Sequence, residues 1–368
     1  MKDNTKEAFL ELVRAGLWDN CNEFQVSGFK FQATVDWEKV YQMAGEQSVV
    51  GLVLAGIERY KNLNANLNLE QELLLQLIGE VQIIEQQNKA MNSIIERIVD
   101  EMRTAGIYAL LVKGQGIAQC YKKPLWRACG DVDFFLSDSN YTQAKSFLIP
   151  LSSESKPERK YSKELGLYID SWLVELHGTL RTGLSSRIDS VIDEAQRDVF
   201  YGGNVRSWMC GKCQVFMPGA NNDVFFVFTH FIKHFYKEEG ANLRQMCDWC
   251  RLIWTYKDSL NHELLESRIK KAGLMTEWKA FAALAVEYLG MPDEAMPFYQ
   301  KSKGRSRRAD KIVYSLLNGM PSSRFHATVS MMKIFPVNTL RFLPGILCDV
   351  NVLKIKEKLF GPDKSYLQ

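Results

Sequence analysis

Two aspartates, Asp131 and Asp133, stand in the run DVDFFL, whose apolar residues are typical of a buried strand. Because burying an unpaired charge is costly, such a strand needs a cation near its carboxylates. Residues i and i+2 of a strand project from the same face, so the two carboxylates lie side by side and favour a divalent cation. Most DxD pairs are solvated residues at edges or turns, so this pair predicts a metal site only together with its surroundings.

A third acid occurs in another strand-like run, WLVELHGTL, where Glu175 is followed at i+2 by His177 on the same face. Three carboxylates on adjacent strands can hold two Mg²⁺ ions, which align a triphosphate and activate an attacking hydroxyl. In the alternative interpretation Glu175 lies on a solvent-facing sheet surface and His177 is a structural residue. The acids at 131 and 133 favour the metal site.

A Lys-Gly pair ends the strand that precedes the aspartates. Lys113 and Gly114 follow the run LLV, and Gly116 begins a short predicted helix, so backbone N–H groups and a lysine converge where a phosphate can bind. The alternative is an ordinary tight turn with Lys113 exposed. Arg127, four residues before the first aspartate, is either an ion-pair partner or a phosphate contact.

Three sections must position these residues. Apolar residues at spacings of three and four predict helices over residues 1–106, with Gly106 as the stop. Strand-like runs and one helix follow over residues 107–217, with the last strand candidate in LGLYIDSWLVELHGTL. Helical patterns return over residues 218–368. The sequence thus predicts an α+β fold, in which a small mixed β-sheet core is flanked by N-terminal and C-terminal helical regions.

Composition limits the partners. The chain has 368 residues, 46% of them apolar, and its basic residues exceed its acidic ones by three, which is too few to indicate nucleic acid or membrane binding. No apolar run approaches the ~18 residues needed to span a bilayer, and the N-terminus lacks a signal-peptide core. We therefore expect a cytoplasmic protein without a membrane partner. The basic run at 301–311 is typical of a solvated helix, with an anionic acceptor as the alternative, so nucleic acid binding stays open.

Eight cysteines include two CxxC pairs, CGKC at 210–213 and CDWC at 247–250. Such pairs can form a tetrahedral zinc site. Cys247 and Cys250, however, have the helical spacing of their apolar neighbours, so core thiols are the favoured interpretation and zinc is not expected. The remaining cysteines are Cys21, Cys120, Cys129 and Cys348.

The order of these motifs, strand, Lys-Gly turn, helix, arginine, DxD strand and ExH strand, resembles the polymerase-beta-like nucleotidyltransferase superfamily. Within it, the chain is similar to a bacterial group of uncharacterised nucleotidyltransferases. LLVKGQGIAQCYKKPLWRACGDVDFFL resembles the central motif of that group, VELHGTL its third acidic strand, and DWEKVYQMAGEQSVVGLVLAGI and FTHFIKHF its flanking helices. The resemblance covers much of the chain and ends near residue 290.

The resemblance implies a site and a reaction. Asp131, Asp133 and Glu175 fall on the metal-binding carboxylates, and the nucleotide phosphates fall to the Lys113–Gly114 turn, with Arg127 at the position of the family's arginine. Mg²⁺ or Mn²⁺ would be the cofactor and an NTP the substrate, whose nucleoside monophosphate passes to an acceptor hydroxyl as pyrophosphate leaves. Many relatives have Gly-Ser or Gly-Gly at the turn, whereas Gln115 follows Gly114 here.

An acceptor site is expected beside the helix DVFFVFTHFIKHFYKEE, which places His230 and His234 on one face. Without the glutamate of an HExxH motif, metal binding is disfavoured, and the histidines are expected to line the acceptor cleft together with Asp248. The alternative is that this face packs into a helical core, with the histidines bonded to backbone carbonyls or to Asp248. The acceptor itself, a small molecule, a protein or an RNA, is left open.

Three rival functions remain. The same fold can be a nucleotide-binding module without catalysis, which would bind an NTP with Mg²⁺ but release no pyrophosphate. A zinc-stabilised interaction protein would carry about one zinc per chain on its CxxC pairs. A toxin-like enzyme that modifies RNA or protein is the third, and the sequence does not separate it from an enzyme acting on small molecules.

Overall fold

The structure is a computed structural model of the chain, and it describes residues 4–18, 31, 34–63, 67–159, 161–237, 241–319 and 324–346. Cys21 and Cys348 lie outside the described residues. The described cysteines are free thiols. No helix of the described part of the chain is long and apolar enough to cross a membrane.

Four helices form the N-terminal section: α1 (Asn4–Leu17), α2 (Trp37–Glu46), α3 (Val50–Asn62) and α4 (Gln71–Thr104). α1 and α3 approach closely because glycines lie at their contact. A Cβ on Gly16 would come within 2.0 Å of the carbonyl oxygen of Leu52, and one on Gly56 within 2.1 Å of that of Leu12. The long helix α4 ends just before Gly106, whose φ of +75° only glycine adopts easily, so the predicted stop is confirmed.

The central sheet follows in chain order: β1 (Ala109–Val112), α5 (Gly114–Ala118), β2 (Asp131–Leu136), α6 (Asp138–Leu148), β3 (Glu154–Ser155), β4 (Glu164–Ile169) and β5 (Trp172–His177). Its spatial order is β1-β2-β5-β4-β3. β2 and β5 are parallel, and the other neighbours are antiparallel. The two strands that carry the predicted metal ligands are therefore hydrogen-bonded neighbours.

The last strand candidate of the sequence proves to be a hairpin. β4 and β5 are joined by Asp170 and Ser171, whose φ values of 48° and 68° give a two-residue turn of the kind that matches strand twist. As a consequence, Glu164 at the start of β4 lies opposite His177 at the end of β5.

The remaining elements are α7 (Ser186–Gly202), the two-stranded sheet of β6 (Val205–Cys210) and β7 (Cys213–Pro218), α8 (Ala220–Lys237), α9 (Leu243–Tyr256), α10 (His262–Ala272), α11 (Met275–Glu287), α12 (Lys303–Asn318) and α13 (Arg324–Ile334). The basic run at 301–311 lies at the start of α12, as expected of a helix approach. The predicted α+β class, with a mixed sheet and helical flanks, is confirmed.

Aromatic side chains fill the core of the C-terminal helices. Phe228, Trp249, Trp278 and Phe281 are fully buried, and the ring centres of Trp249 and Trp278 lie 4.6 Å apart. α8 also faces the central sheet, since the rings of Phe226 and Phe135 meet edge to face at 6.1 Å. Buried aromatic rings contribute about 1.5–3 kcal/mol each, so this packing fixes α8 and α9 against the sheet that carries the acids.

Candidate metal and nucleotide site

The parallel pairing of β2 with β5 places Asp133 directly opposite Glu175. Side chains at matched positions of neighbouring strands share a face, so both carboxylates and His177, two residues beyond Glu175, lie together. Asp133, Glu175 and His177 each offer a ligand atom within 4.8 Å of the others. Among the described residues this is the one group of three such side chains with that spacing.

Asp133 is at the centre of the group. It is only 2% exposed, and its Oδ1 accepts hydrogen bonds from Lys113 Nζ at 2.7 Å and binds His177 Nε2 at 2.7 Å. Its Oδ2 has no hydrogen-bond partner among the described residues. Burial alone would raise the pKa of this carboxyl, but Lys113 and His177 outweigh it and hold the pKa well below its usual range. Asp133 is therefore ionised, with one oxygen left for a ligand.

The neighbouring acids carry uncompensated charge. The carboxylate of Asp133 raises the pKa of Asp131, and burial adds to this effect. Burial, and then Asp133, raise the pKa of Glu175. Such shifts mean that each negative charge is held at a cost that a cation would relieve. Carboxylate oxygens suit Mg²⁺ and Mn²⁺, while an imidazole also suits transition metals, so these residues fit a divalent cation.

The turn after β1 is strained. Lys113 has φ 58° and ψ −147°, which is a conformation adopted almost only by glycine, and Gly114 has φ 40°. A Cβ on Gly114 would lie 3.2 Å from Cys129 Sγ, and one on Gly116 would lie 2.9 Å from Met217 Sδ. Gly114 is thus held against the segment before β2, and Gly116 packs against β7. Strain of this kind persists where the surrounding fold enforces it, and it clusters at functional sites.

Arg127 and Asp248 form a separate buried ion pair. Arg127 Nε and Nη2 donate to Asp248 Oδ1 and Oδ2, both at 2.7 Å, and Tyr121 donates to Oδ1 at 2.8 Å. The pair joins the loop before β2 to α9. Of the two roles foreseen for Arg127, the structure shows the ion pair. Both oxygens of Asp248 are engaged, so it does not hold the histidines of α8.

His230 and His234 contact each other, with their Nε2 atoms 3.0 Å apart. Burial lowers the pKa of both, to about 4 for His234, and the charge of Lys113 contributes to both shifts. The field of Asp133 also acts on His234, and the field of His177 acts on His230. The α8 histidines thus lie within electrostatic reach of the carboxylate group and are neutral at pH 7.

Two charged residues of the site were missed from the sequence. Glu164 lies opposite His177, and Lys233 Nζ approaches its Oε2 at 3.9 Å. Arg244 lowers the pKa of Asp131 and also acts on His234. The hairpin turn was the signal for Glu164, because it sets the register of β4. For Arg244, the signal was its position four residues before Asp248 on one helix face.

The CxxC pairs lie in different surroundings. Cys210 and Cys213 face each other at the tip of the β6–β7 hairpin, and burial raises the pKa of Cys210 to about 12. Cys247 and Cys250 are fully buried in α9, where the sequence pattern predicted core thiols. Among the described residues, neither pair belongs to a group of three ligand atoms with metal-site spacing.

A carboxylate–histidine group beside a strained Lys-Gly turn, on a mixed sheet with helical flanks, is an arrangement suited to transferring phosphoryl-type groups. The family model described as an uncharacterised nucleotidyltransferase matches residues 33–290, which is more than half of the chain. The chain therefore belongs to this uncharacterised nucleotidyltransferase family. Searches of the curated proteins and of the solved structures found no match.

Proposed function

We propose that this protein is a nucleotidyltransferase of the polymerase-beta-like superfamily, which transfers a nucleoside monophosphate from an NTP to an acceptor hydroxyl and releases pyrophosphate. The observation that carries the proposal is the register match of Asp133 with Glu175 beside the Lys113–Gly114 turn. Family membership supports the reaction class, and the mixed sheet is consistent with the superfamily.

The proposal gives each side chain a part. Asp133, Glu175 and either Asp131 or His177 would hold Mg²⁺ or Mn²⁺, which when bound neutralises triphosphate charge and favours attack on the α-phosphorus. Lys113 and the backbone N–H groups at the start of α5 would bind the phosphates as they accumulate charge. Catalysis of this type depends mainly on positioning and on electrostatic stabilisation, both of which a rigid sheet provides.

The acceptor would approach along α8. His230 and His234 are neutral at pH 7 because of their lowered pKa values, so an imidazole nitrogen there can accept the proton of an acceptor hydroxyl. Lys233 and Glu164 lie at the same face and offer polar contacts to the acceptor.

The test is calorimetry with ATP and Mg²⁺ on Asp133→Asn, which removes the central charge and nearly preserves shape. ATP affinity in the presence of Mg²⁺ should fall at least about tenfold, since loss of even an outer-shell partner of a metal costs 10–100-fold. The matched control is Asp138→Asn on α6, whose side chain is 80% exposed and pairs with Lys163 at the surface. Circular dichroism and melting curves verify that both variants fold.

The same experiment separates the rival functions. Unchanged affinity in Asp133→Asn, with the control also unchanged, would remove the metal role. Mg²⁺-dependent binding of any of the four NTPs, without pyrophosphate release in the presence of small-molecule, protein and RNA acceptors, would favour a nucleotide-binding module.

A further inference from the structure

A basic cavity lies beside the carboxylate site, between the N-terminal helices and the loop before β2. It encloses about 420 Å³ of empty space. Its walls come from α1, from the start of α3, from residues 121–127 and from α9, and its polar side chains are Ser48, Lys122, Lys123, Arg127 and Arg244. Four of these five carry positive charge, and no acidic side chain lines the cavity. The cavity is therefore a region of positive potential, which favours an anion.

The four cations differ in what else they bind. Arg127 is committed to Asp248, and Lys123 pairs with Glu58 while its Nζ lies 3.5 Å from the ring centre of Trp126. Lys122 is exposed at the cavity mouth.

Arg244 has unused donor capacity. Its Nη1 donates to the carbonyl of Ala128 at 3.1 Å, but its buried Nε has no hydrogen-bond partner. A buried donor without a partner costs about 1–3 kcal/mol, a cost that an anionic ligand can remove.

The start of α3 adds to this potential. Ser48, Val49 and Gly51 line the cavity, and the N-cap is Val49, whose side chain cannot accept a backbone hydrogen bond. No acidic residue lies in the first turn of α3. Uncapped N–H groups at a helix start carry partial positive charge and commonly bind phosphate. The helix end and the basic side chains thus act on the same volume.

We propose that this cavity is a second phosphate-binding subsite, distinct from the Lys113–Gly114 turn. Arg244 lines the cavity and also acts electrostatically on Asp131 and on His234, so it connects the cavity with the carboxylate site and with the α8 histidines. The role of the subsite in catalysis rests on the proposed function, whereas anion binding itself does not. The phosphate belongs either to the NTP tail or to a phosphorylated acceptor.

The test uses one position and two substitutions of nearly equal shape. Ser48 has φ 55°, a conformation that Asp and Asn tolerate better than Ser, so both variants should fold. Inorganic phosphate and pyrophosphate are titrated by calorimetry in EDTA. Ser48→Asp places a carboxylate in the cavity and should weaken binding at least tenfold, while Ser48→Asn should stay within about twofold of the wild type. Lys122→Gln should weaken binding severalfold, whereas Lys61→Gln, at the far end of α3, should not.

Equal binding by Ser48→Asp and Ser48→Asn, or no saturable binding of either anion to the wild type, would overturn the subsite. Because metal and nucleotide are excluded, failure of the proposed function leaves this result unaffected. Asp133→Asn should still bind phosphate.

A second titration identifies the source of the phosphate. It adds Mg²⁺ and a saturating non-hydrolysable ATP analogue. Loss of phosphate binding, together with weaker nucleotide binding in Ser48→Asp, assigns the subsite to the NTP tail. Retained phosphate binding, with unchanged nucleotide affinity in that variant, assigns it to a phosphorylated acceptor.

Discussion

The ion pair of Arg127 and Asp248 should make a large contribution to stability. Both side chains are at most 5% exposed, and the two hydrogen bonds of 2.7 Å run in parallel from guanidinium to carboxylate. Removing one partner of such a pair leaves a buried charge uncompensated, which typically costs about 3–5 kcal/mol. We expect this loss in the free energy of unfolding for Arg127→Met and, in its lower part, for Asp248→Asn, because asparagine keeps its hydrogen bond with Tyr121.

The loss converts to a measurable melting shift. The entropy of unfolding is about 2.1 cal/mol/K per residue, or roughly 0.8 kcal/mol/K for a chain of this length, so 3–5 kcal/mol lowers the melting temperature by about 4–6 °C. The double variant with Met at 127 and Leu at 248 leaves no buried charge, and only the hydroxyl of Tyr121 loses its partner, at about 1–3 kcal/mol. It should therefore be more stable than Arg127→Met.

Urea denaturation followed by circular dichroism and by tryptophan fluorescence gives the four free energies of a double-mutant cycle. The cycle should return a coupling energy of at least about 2 kcal/mol. A coupling below about 0.5 kcal/mol would refute the structural role. ATP affinity separates the alternative that Arg127 contacts a phosphate: in that case Arg127→Met weakens ATP binding tenfold or more while Asp248→Asn does not, whereas a purely structural pair leaves both variants alike.

Three further predictions concern packing, metal and pH. Gly51→Ala should destabilise the protein by several kcal/mol because its Cβ would lie 2.1 Å from the carbonyl oxygen of Trp126, while Gly45→Ala, with no atom within 4 Å, should stabilise α2 by up to about 1 kcal/mol; paired melting curves measure both. Purified protein should contain well under one zinc per chain and keep its melting temperature with a chelator; stoichiometric zinc that is lost in Cys210→Ser would contradict this. Arg127 lowers the pKa of Asp248 against the opposing effect of burial, so the stability that Asp248 adds is complete above the unfolded value of about 3.9 and is lost as pH falls through the lower folded value. The difference in unfolding free energy between the wild type and Asp248→Asn should shrink below about pH 4, and an equal difference at pH 7 and pH 3 would exclude this linkage.

Local patterns were enough to predict the elements that carry the site. The apolar run around Asp131 and Asp133 predicted β2, and Gly106 predicted the end of α4, because burial and backbone conformation act on neighbouring residues. The shared face of Glu175 and His177 followed from strand alternation alone. What the alternation did not contain was the pairing of β2 with β5, since any two strands of similar length and hydrophobicity can pair.

The missed turn shows how one local error spreads. Asp170 and Ser171 interrupt an apolar run that otherwise resembles one long strand, and short polar residues are the ones that tolerate positive φ in two-residue turns. Once the turn is placed, the antiparallel register brings Glu164 opposite His177 and makes it a member of the site. Without it, Glu164 is only a polar residue before a strand.

Charge partners were the hardest feature to predict, because they depend on distances between elements that are far apart in the chain. Lys113 was expected to meet phosphate, and it lies 2.7 Å from Asp133, twenty residues away. Arg127 had two possible roles, and its partner is 121 residues away on α9. A buried charge takes whichever opposite charge the fold brings within reach, so its partner follows from packing. The residue types therefore identify a charged site from the sequence, while the tertiary structure decides which pairs hold the fold together and which oxygens remain for a ligand.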